Sequence, residues 1–210
     1  MGFKVEKEIG AVRIEVSEDG KSGVIRNATL LFASVARPYK GKYDPQYKVS
    51  IPISGVHKRE IKKLAKKVGI SEVANEAFPD QYRVAELPFP ELDEQIVLTI
   101  AKKAQYKDGT PLKPEHRPRV FAPTTGGKVK DITKTLVGNG SIGDVVFHIV
   151  ESDEYGSWLD FDAIVVKKLV EYEGGAPSVV SQFDIDGELE KFDDAVVEKN
   201  DDVSDDDIPF

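Results

Sequence analysis

Several residue types that build common functional sites are absent from this chain or scarce in it. The 210 residues include no cysteine, three histidines and one tryptophan. The missing thiols exclude disulfide bonds, thiolate zinc sites and a cysteine nucleophile. Three histidines argue against a histidine-rich metal site. We therefore expect neither a metal ion nor a cofactor.

Long apolar segments are also missing. No apolar run approaches the roughly 20 residues that span a bilayer, and the first residues lack the apolar stretch of a signal peptide. These absences predict a soluble protein of the cytoplasm. The length is sufficient for one ordinary domain with appendages.

The net charge of −8 is divided unevenly along the chain. Residues 184–210 carry twelve acidic and two basic side chains, whereas the preceding 183 residues carry 25 acidic and 27 basic ones. Acidic blocks of this kind are typical of solvated interaction tails. We therefore predict one domain over residues 1–183, with residues 1–27 as an arm or hairpin, and a disordered acidic tail over residues 184–210.

Alternating and apolar segments predict a mainly β protein with one clear helix. Strands are expected at 8–16, 28–36, 47–53, 95–105, 119–122, 143–152 and 158–172, with a helix as the alternative at 95–105. Residues 56–68 change to helical spacing, with Ile61, Leu64, Ala65 and Val68 on one face. A small barrel with insertions fits this order better than a helical bundle or a βαβ array.

Positive charge in the body of the chain is concentrated in two segments that also carry aromatic residues. Residues 37–67 hold ten basic and two acidic side chains, and residues 102–134 hold nine and three. Single-stranded nucleic acid requires cations along its phosphates and aromatic faces for its unpaired bases. The candidate DNA-binding residues are Arg37, Tyr39, Lys40, Lys42, Tyr43, Tyr47, Lys48, Lys103, Tyr106, Lys107, Arg119, Phe121 and Trp158.

These candidates differ in how well the pattern supports them. Tyr39, Tyr43 and Tyr47 alternate with lysines in a segment rich in proline and glycine, although Tyr47 also fits a strand facing the core. The basic face of the helix at 56–68 is better explained by solubility, which alone would produce it. Trp158 and Tyr155 stand among acidic residues that would repel phosphate, so contact with DNA and its absence remain open for both.

The last six residues form a compact docking peptide. Three carboxylates precede two apolar side chains, and a proline favours an extended backbone before it. An apolar pocket with a basic rim would bind such a segment. The candidate partner-binding residues are Asp205, Asp206, Asp207, Ile208, Pro209 and Phe210.

This hexapeptide is identical to the C-terminal tip of many bacterial single-stranded DNA-binding proteins. The body resembles instead the single-stranded DNA-binding proteins of tailed phages, of the T-odd podophage type. The resemblance lies in the segment 47–53 followed by a helix, in Gly138-Asn139-Gly140-Ser141 before the strand at 145–150, and in a long last strand before an acidic tail.

That resemblance implies a fold and a function. The fold would be an OB-fold, a five-stranded barrel with an inserted helix. The function would be non-catalytic coating of single-stranded DNA in phage replication, recombination and repair, in the host cytoplasm. The tip would recruit replication and repair enzymes. Related proteins form dimers or tetramers, so a homodimer is an open alternative.

Two motifs suggest enzymes but fit them poorly. Residues 138–143 match G-x-G-x-x-G, yet a dinucleotide site needs a helix after this loop and here a strand follows. Asp160 and Asp162 would suit Mg²⁺ in a nuclease, but an exposed strand face explains them more simply. We expect no catalytic residues. The main alternative function is an adaptor or decoy that engages host partners through the tip without binding DNA.

The charge division also suggests a switch. At high effective concentration, the acidic tail would compete with DNA for the basic residues and would be released for partners when DNA binds.

Overall fold

The computed structural model describes residues 11–40, 44–124 and 128–170. The predicted candidates Lys42, Tyr43 and 205–210 lie outside these residues, as does the predicted acidic tail. The strands are β1 (Arg13–Val16), β2 (Ser22–Tyr39), β3 (Gln46–Ile53), β4 (Gly69–Ala74), β5 (Glu94–Lys103), β6 (Arg119–Pro123), β7 (Val129–Asp131), β8 (Ser141–Ser152) and β9 (Gly156–Lys168). The α-helices are α1 (Gly55–Leu64) and α2 (Phe78–Tyr82).

Five of these strands close into a barrel. Around the ring the order is β5, β3, β2, β8 and β9. The ring closes where Ala101 of β5 pairs in parallel with Asp160 of β9, and the other neighbours in the ring are antiparallel. In chain order the barrel strands therefore pair as 1-2-3-5-4-1, which is the OB topology. The predicted OB-fold is confirmed, with α1 inserted between its second and third strands.

The inward-facing side chains of β3 and β5 fill the barrel. Val49 and Ile51 of β3 are fully buried, and their register partners Ile100 and Leu98 of β5 are buried with them. Phe147 of β8 and Phe161 of β9 complete the interior with β-branched and aliphatic side chains from β2. Because successive side chains of a strand point to opposite faces, the residues between these positions face outwards.

Several elements differ from the sequence prediction. β2 extends for 18 residues, well beyond the predicted 28–36. The segment between the predicted helix at 56–68 and the predicted strand at 95–105 contains β4, which pairs with β5, and α2. Phe78 and Tyr82 of α2 pack with Leu31 and Val97 in a second cluster on the outside of the barrel.

The inserted helix is shorter than its periodicity predicts. Ser54 caps α1 by accepting a hydrogen bond from the backbone of His57 at 3.4 Å. The helix ends at Leu64 rather than near residue 68. The amide groups of Lys66 and Lys67 bond instead to the side chain and carbonyl of Ser157, at 3.0 and 2.8 Å. Tertiary hydrogen bonds thus replace the last predicted turn.

The glycine motif at 138–143 forms a corner of the barrel. Gly140 adopts a φ of +85° in the turn before β8, a conformation that favours glycine. A Cβ atom at Gly143 would lie 2.7 Å from the carbonyl oxygen of Val165. The motif therefore permits a tight turn and a close strand contact.

The hairpin of β1 and the start of β2 turns at Asp19-Gly20, a dipeptide typical of hairpin turns. In the described ranges, no helix is both long and apolar enough to cross a bilayer.

Candidate nucleic-acid interface

The outer face of β3 and β5 is polar and built mainly from small or cationic side chains. Gln46, Lys48 and Ser50 alternate with the buried residues of β3, and their partners on β5 are Lys103, Ala101 and Thr99. The hydroxyl groups of Ser50 and Thr99 are 2.9 Å apart, which confirms that they share this face. In OB-folds the second and third barrel strands form the surface that receives oligonucleotides.

An aromatic–cation pair stands at the edge of this face. Ser34 and Tyr39 of β2 pair with Lys48 and Gln46 of β3, so Tyr39 lies beside the outer face. The Nζ atom of Lys48 is 3.5 Å from the centroid of the Tyr39 ring, and half of the Tyr39 side chain is exposed. Partial burial of Lys48 lowers the pKa of its ammonium group. An anion arriving here would find a cation already poorly hydrated.

At the other side of the face, a second cation lies beside aromatic residues. Lys67 forms a parallel bridge with Trp158, and its Nζ atom is 5.6 Å from the Tyr155 ring centroid. Tyr155 is exposed and Trp158 is half-buried. Trp158 is the third residue of β9 and lies close to the β8–β9 loop, which in an OB-fold borders the binding face.

The centre of the face is a shallow depression. Gly69, Thr99 and Ala101 line it with Gln46 and Lys67. Small residues here leave room for a ligand between the Lys48–Tyr39 pair and Lys67. We name this surface, from Tyr39 and Lys48 across Ala101 to Lys67, the barrel face.

The barrel face is bounded by negative charge on one side. Glu151, Asp153 and Glu154 line a pocket with Lys66 at the β8–β9 turn. Their carboxylates would repel a phosphate chain, so they limit its path beyond Tyr155.

A second cationic surface lies near Arg119, one of the predicted residues. Arg117, Arg119, Lys130 and Lys134 line a groove with Asp131, between the segment before β6 and the segment after β7. The pKa of Asp131 is lowered mainly by hydrogen bonds from Thr133, and the charge of Arg119 contributes. We name this surface the basic groove.

One of the predicted stacking residues, Tyr47, is buried in the structure. Tyr47 is only 5% exposed and belongs to the core cluster. Its position alternates with Lys48, so its ring points into the barrel while Lys48 points out. The strand alternative recognised in the sequence is therefore the one that the structure shows, and the little of Tyr47 that is exposed lines the basic groove.

The remaining predicted residues are dispersed. Tyr106 is half-buried after β5, where its hydroxyl lies 2.7 Å from Nδ1 of His116, and Lys107 is exposed next to it. Phe121 is half-buried in β6, between β7 and β9. None of these three residues is on β3 or β5.

Three further predicted cations are exposed near the start of the barrel face. Lys103 is an outer-face residue of β5 and contacts Asp44 at 3.1 Å. Arg37 belongs to the last part of β2, and Lys40 follows that strand. The structure therefore brings together Arg37, Tyr39, Lys48 and Lys103.

Sequence reasoning missed Phe32. This residue lies within the apolar run 28–36, whose composition predicts burial, yet 40% of its side chain is exposed. Its backbone φ of +47° interrupts the alternation of inward and outward side chains along β2. The Phe32 side chain consequently points away from the core. No local signal in the sequence marks this change.

The aspartates considered for metal binding have other partners. Asp160 forms an ion pair with Lys102, and Asp162 lies 3.5 Å from Nε2 of His148. Among the residues that the structure describes, no group of three or more carboxylates and histidines is arranged to hold a metal ion.

Comparisons with known proteins identify similar solved structures. No family model and no curated protein matches the chain. The single-stranded DNA-binding protein of bacteriophage Enc34, in complex with single-stranded DNA, is 14% identical with a TM-score of 0.44, over 81% of this chain and 100% of that one. A C-terminal truncation of that protein is 13% identical with a TM-score of 0.42, over 77% and 98%.

A third similar structure is gp2.5, a single-stranded DNA-binding protein encoded by bacteriophage T7. It is 18% identical with a TM-score of 0.41, over 86% of this chain and 100% of that one. The similar structures are therefore phage single-stranded DNA-binding proteins at low identity. The likeness at these values concerns the fold alone.

Proposed function

We propose that this protein binds single-stranded DNA without catalysis and coats it during phage replication, recombination and repair. Unpaired DNA lies across the barrel face, with phosphates on Lys48, Lys103 and Lys67. Tyr39 and Trp158 provide ring surface for bases. This assignment removes Tyr47 from the predicted DNA-binding residues. It also leaves Tyr106, Lys107 and Phe121 outside the path of the DNA across the barrel face.

The observation that carries this proposal is the Lys48–Tyr39 pair beside a floor of small side chains. A half-exposed ring with an ammonium group 3.5 Å from its centroid offers a stacking surface and a phosphate partner at one place. Base stacking on such rings contributes about 1–3 kcal/mol per base. The shallow depression that Thr99 and Ala101 line leaves room for the DNA strand.

The direct test is equilibrium binding of a fluorescent oligo-dT and of a duplex of the same length, at two salt concentrations. We expect binding that prefers oligo-dT and weakens as salt rises, because phosphate contacts release counterions. The absence of binding to oligo-dT would refute the proposed function and favour the adaptor or decoy alternative. Equal binding to the duplex would contradict the assigned stacking surface.

We propose in addition that Asp205, Asp206, Asp207, Ile208, Pro209 and Phe210 recruit replication and repair enzymes to the coated strand. The support is the sequence of this segment, in which three acids precede two apolar side chains. The matching experiment uses a purified bacterial enzyme that binds the tip of bacterial single-stranded DNA-binding proteins. Full-length protein should bind it, and the variant Phe210→Ala should not.

Binding that is unchanged in the Phe210→Ala variant would contradict recruitment by this segment. The DNA titration above serves as the control, since this variant should bind oligo-dT as the unmodified chain does.

A further inference from the structure

A groove runs along the part of β2 that has only one strand beside it. β8 pairs with β2 as far as Leu30, whereas β3 pairs with the other edge of β2 as far as Tyr39. In the described part of the chain, no strand pairs with the first edge between Phe32 and Tyr39. Leu136, Val137 and Asn139 face this edge across a mainly apolar groove. We name it the edge groove.

Two exposed aromatic rings line the edge groove. Phe32 is 40% exposed and Tyr39 is 50% exposed. Lys48 and Arg37 line the groove together with them. The groove is therefore continuous with the barrel face through the Lys48–Tyr39 pair, and cations are available for the phosphates that flank a bound base.

Phe32 is held in an unfavourable backbone conformation. Its φ of +47° lies in the left-handed region, which a bulky residue rarely adopts. Conformations of this kind persist only where surrounding contacts enforce them. Glycine or asparagine would adopt this φ more easily, so the aromatic ring brings no advantage to the local backbone.

The side chain of Asn139 enforces this conformation. Its Oδ1 atom accepts a hydrogen bond from the backbone N–H of Phe32 at 2.7 Å. Its Nδ2 group donates to the carbonyl oxygen of Tyr82 at the end of α2. The adjacent N–H of Gly140 donates to the carbonyl oxygen of Leu30 at 3.0 Å. Asn139 thus joins β2, α2 and the turn before β8.

The ring of Phe32 is supported from one side. Its centroid lies 5.5 Å from that of Tyr82, and Tyr82 stacks on the fully buried Phe78 at 4.6 Å. Both supporting rings are buried. This support restricts the motion of the Phe32 ring while two fifths of its side chain remain exposed to the groove.

We infer that the edge groove is a subsite for an unpaired nucleobase, with Phe32 as its stacking platform and Asn139 as a positioning residue. This inference rests on the proposed function and extends the DNA path beyond the barrel face. The enforced φ, the exposed ring with buried support and the neighbouring cations all concern the same few residues. Packing alone would not require an exposed phenyl ring at a left-handed position.

The test compares the variants Phe32→Leu and Phe32→Gly with the unmodified chain. Leucine keeps an apolar side chain without a ring, and glycine relieves the backbone conformation. Each protein is titrated with oligo-dT and with an oligonucleotide of the same length whose sites are abasic. Since a stacked base contributes about 1–3 kcal/mol, loss of the ring should weaken oligo-dT binding roughly 5- to 100-fold.

Binding of the abasic oligonucleotide should be the same for all three proteins, because it retains the phosphates and lacks the bases. Unchanged oligo-dT binding by Phe32→Leu would overturn the inference. An equal loss on both oligonucleotides would overturn it as well, since the effect would then be independent of bases. A folded wild-type protein that does not bind oligo-dT would refute the proposed function itself, which is a distinguishable result.

Asn139 is tested through its coupling to Phe32. Asn139→Ala should weaken oligo-dT binding, and Asn139→Asp should restore part of it because a carboxylate still accepts from the Phe32 N–H. In the double variant Phe32→Leu/Asn139→Ala, the loss should equal that of Phe32→Leu alone. Additive losses would contradict the positioning role, because Asn139 would then act independently of the ring.

Discussion

The ammonium group of Lys48 lies against the ring of Tyr39, with 3.5 Å between Nζ and the ring centroid. The two residues come from neighbouring antiparallel strands of the barrel, one from β3 and the other from the end of β2. Partial burial gives the lysine a lowered pKa, and exposure leaves the ring accessible. This pair connects the barrel face to the edge groove.

Replacing Tyr39 should weaken binding of unpaired DNA. Tyr39→Ala removes a stacking surface, so we expect about a 5- to 100-fold loss of affinity for oligo-dT. Tyr39→Phe keeps the ring and should bind nearly as the unmodified chain does. Fluorescence anisotropy measures both. Lys21→Ala is the control variant, because Lys21 lies outside the barrel face, in the hairpin between β1 and β2. Its affinity for oligo-dT should be that of the unmodified chain. Equal affinities for Tyr39→Ala and Tyr39→Phe would contradict stacking on this residue.

Lysines of the barrel face should determine the salt dependence. On single strands, the log–log slope of affinity against salt changes by about 0.7 for each phosphate contact. Lys48→Ala and Lys103→Ala should each reduce the slope by about that amount. Asp44→Asn should increase the affinity for oligo-dT, because it frees Lys103 from its ion pair. A slope that both alanine variants leave unchanged would place the phosphates elsewhere, with the basic groove as the next surface to test.

The affinity for DNA should begin to fall at a lower pH than it would if Lys48 had the pKa of an ordinary lysine. The pKa of Lys48 is lowered by burial in the free protein, and a bound phosphate would raise it. Affinity should therefore be full below the pKa of the free state and decline as the pH rises through it. Lys48→Arg keeps its charge and should flatten this decline. Identical pH profiles for the two proteins would contradict a role of Lys48 in phosphate binding.

Asp144 should contribute strongly to stability. Its carboxylate is nearly buried and contacts Lys167 at 2.6 Å and Arg26 at 2.9 Å, and it accepts from the backbone N–H of Asn27. Burial raises its pKa, but these hydrogen bonds and charges outweigh burial and hold the pKa below 3.8. Arg26 and Lys167 remain partly exposed without this carboxylate, so the expected cost is that of lost hydrogen bonds to charged groups, about 1.5–3 kcal/mol. Asp144→Asn should lower the free energy of unfolding by that order.

The sign of the acid dependence follows from the same pKa. Stability from a carboxylate with a lowered pKa is complete above its ordinary value and is lost as the pH falls through the folded-state value. Denaturant unfolding should therefore show the difference between the unmodified chain and Asp144→Asn shrinking in acid. Asp162→Asn, at an exposed position on β9, is the control. A difference that stays constant in acid would contradict the assigned charge network.

Deletion of residues 184–210 should strengthen binding of oligo-dT at low salt. The deleted segment removes twelve acidic side chains and two basic ones, so less negative charge would compete with DNA for the barrel face. The gain should diminish at high salt, because screening weakens the competition. Unchanged affinity at low salt would contradict the competition hypothesis.

Local patterns predict the barrel strands well because each carries its own periodicity. Every second residue from Tyr47 to Ile53 belongs to the core cluster, and the alternation that reveals Lys48 as an outward residue assigns Tyr47 to the core. The end of α1 is different, since the hydrogen bonds of Lys66 and Lys67 to Ser157 join residues about ninety positions apart. Helical periodicity contains no information about that contact.

The candidate site could be predicted only in part for a similar reason. The spacing of basic and aromatic residues identifies Tyr39 and Lys48 but cannot show that Tyr106 and Phe121 lie outside β3 and β5. The local hydrophobic pattern of the sequence does not reveal that Phe32 is exposed. Its exposure depends on Asn139, which lies more than one hundred residues further along the chain. Residues joined by tertiary contacts require the fold before they can be recognised.

The most direct test of DNA binding across the barrel face is photo-crosslinking to an oligo-dT that carries 5-iododeoxyuridine, with the linked residues mapped by mass spectrometry. The account predicts crosslinks at Tyr39 and Phe32, and their loss when unlabelled oligo-dT is added in excess. Crosslinks confined to the basic groove around Arg117 and Arg119, or to the exposed face of α1, would contradict it.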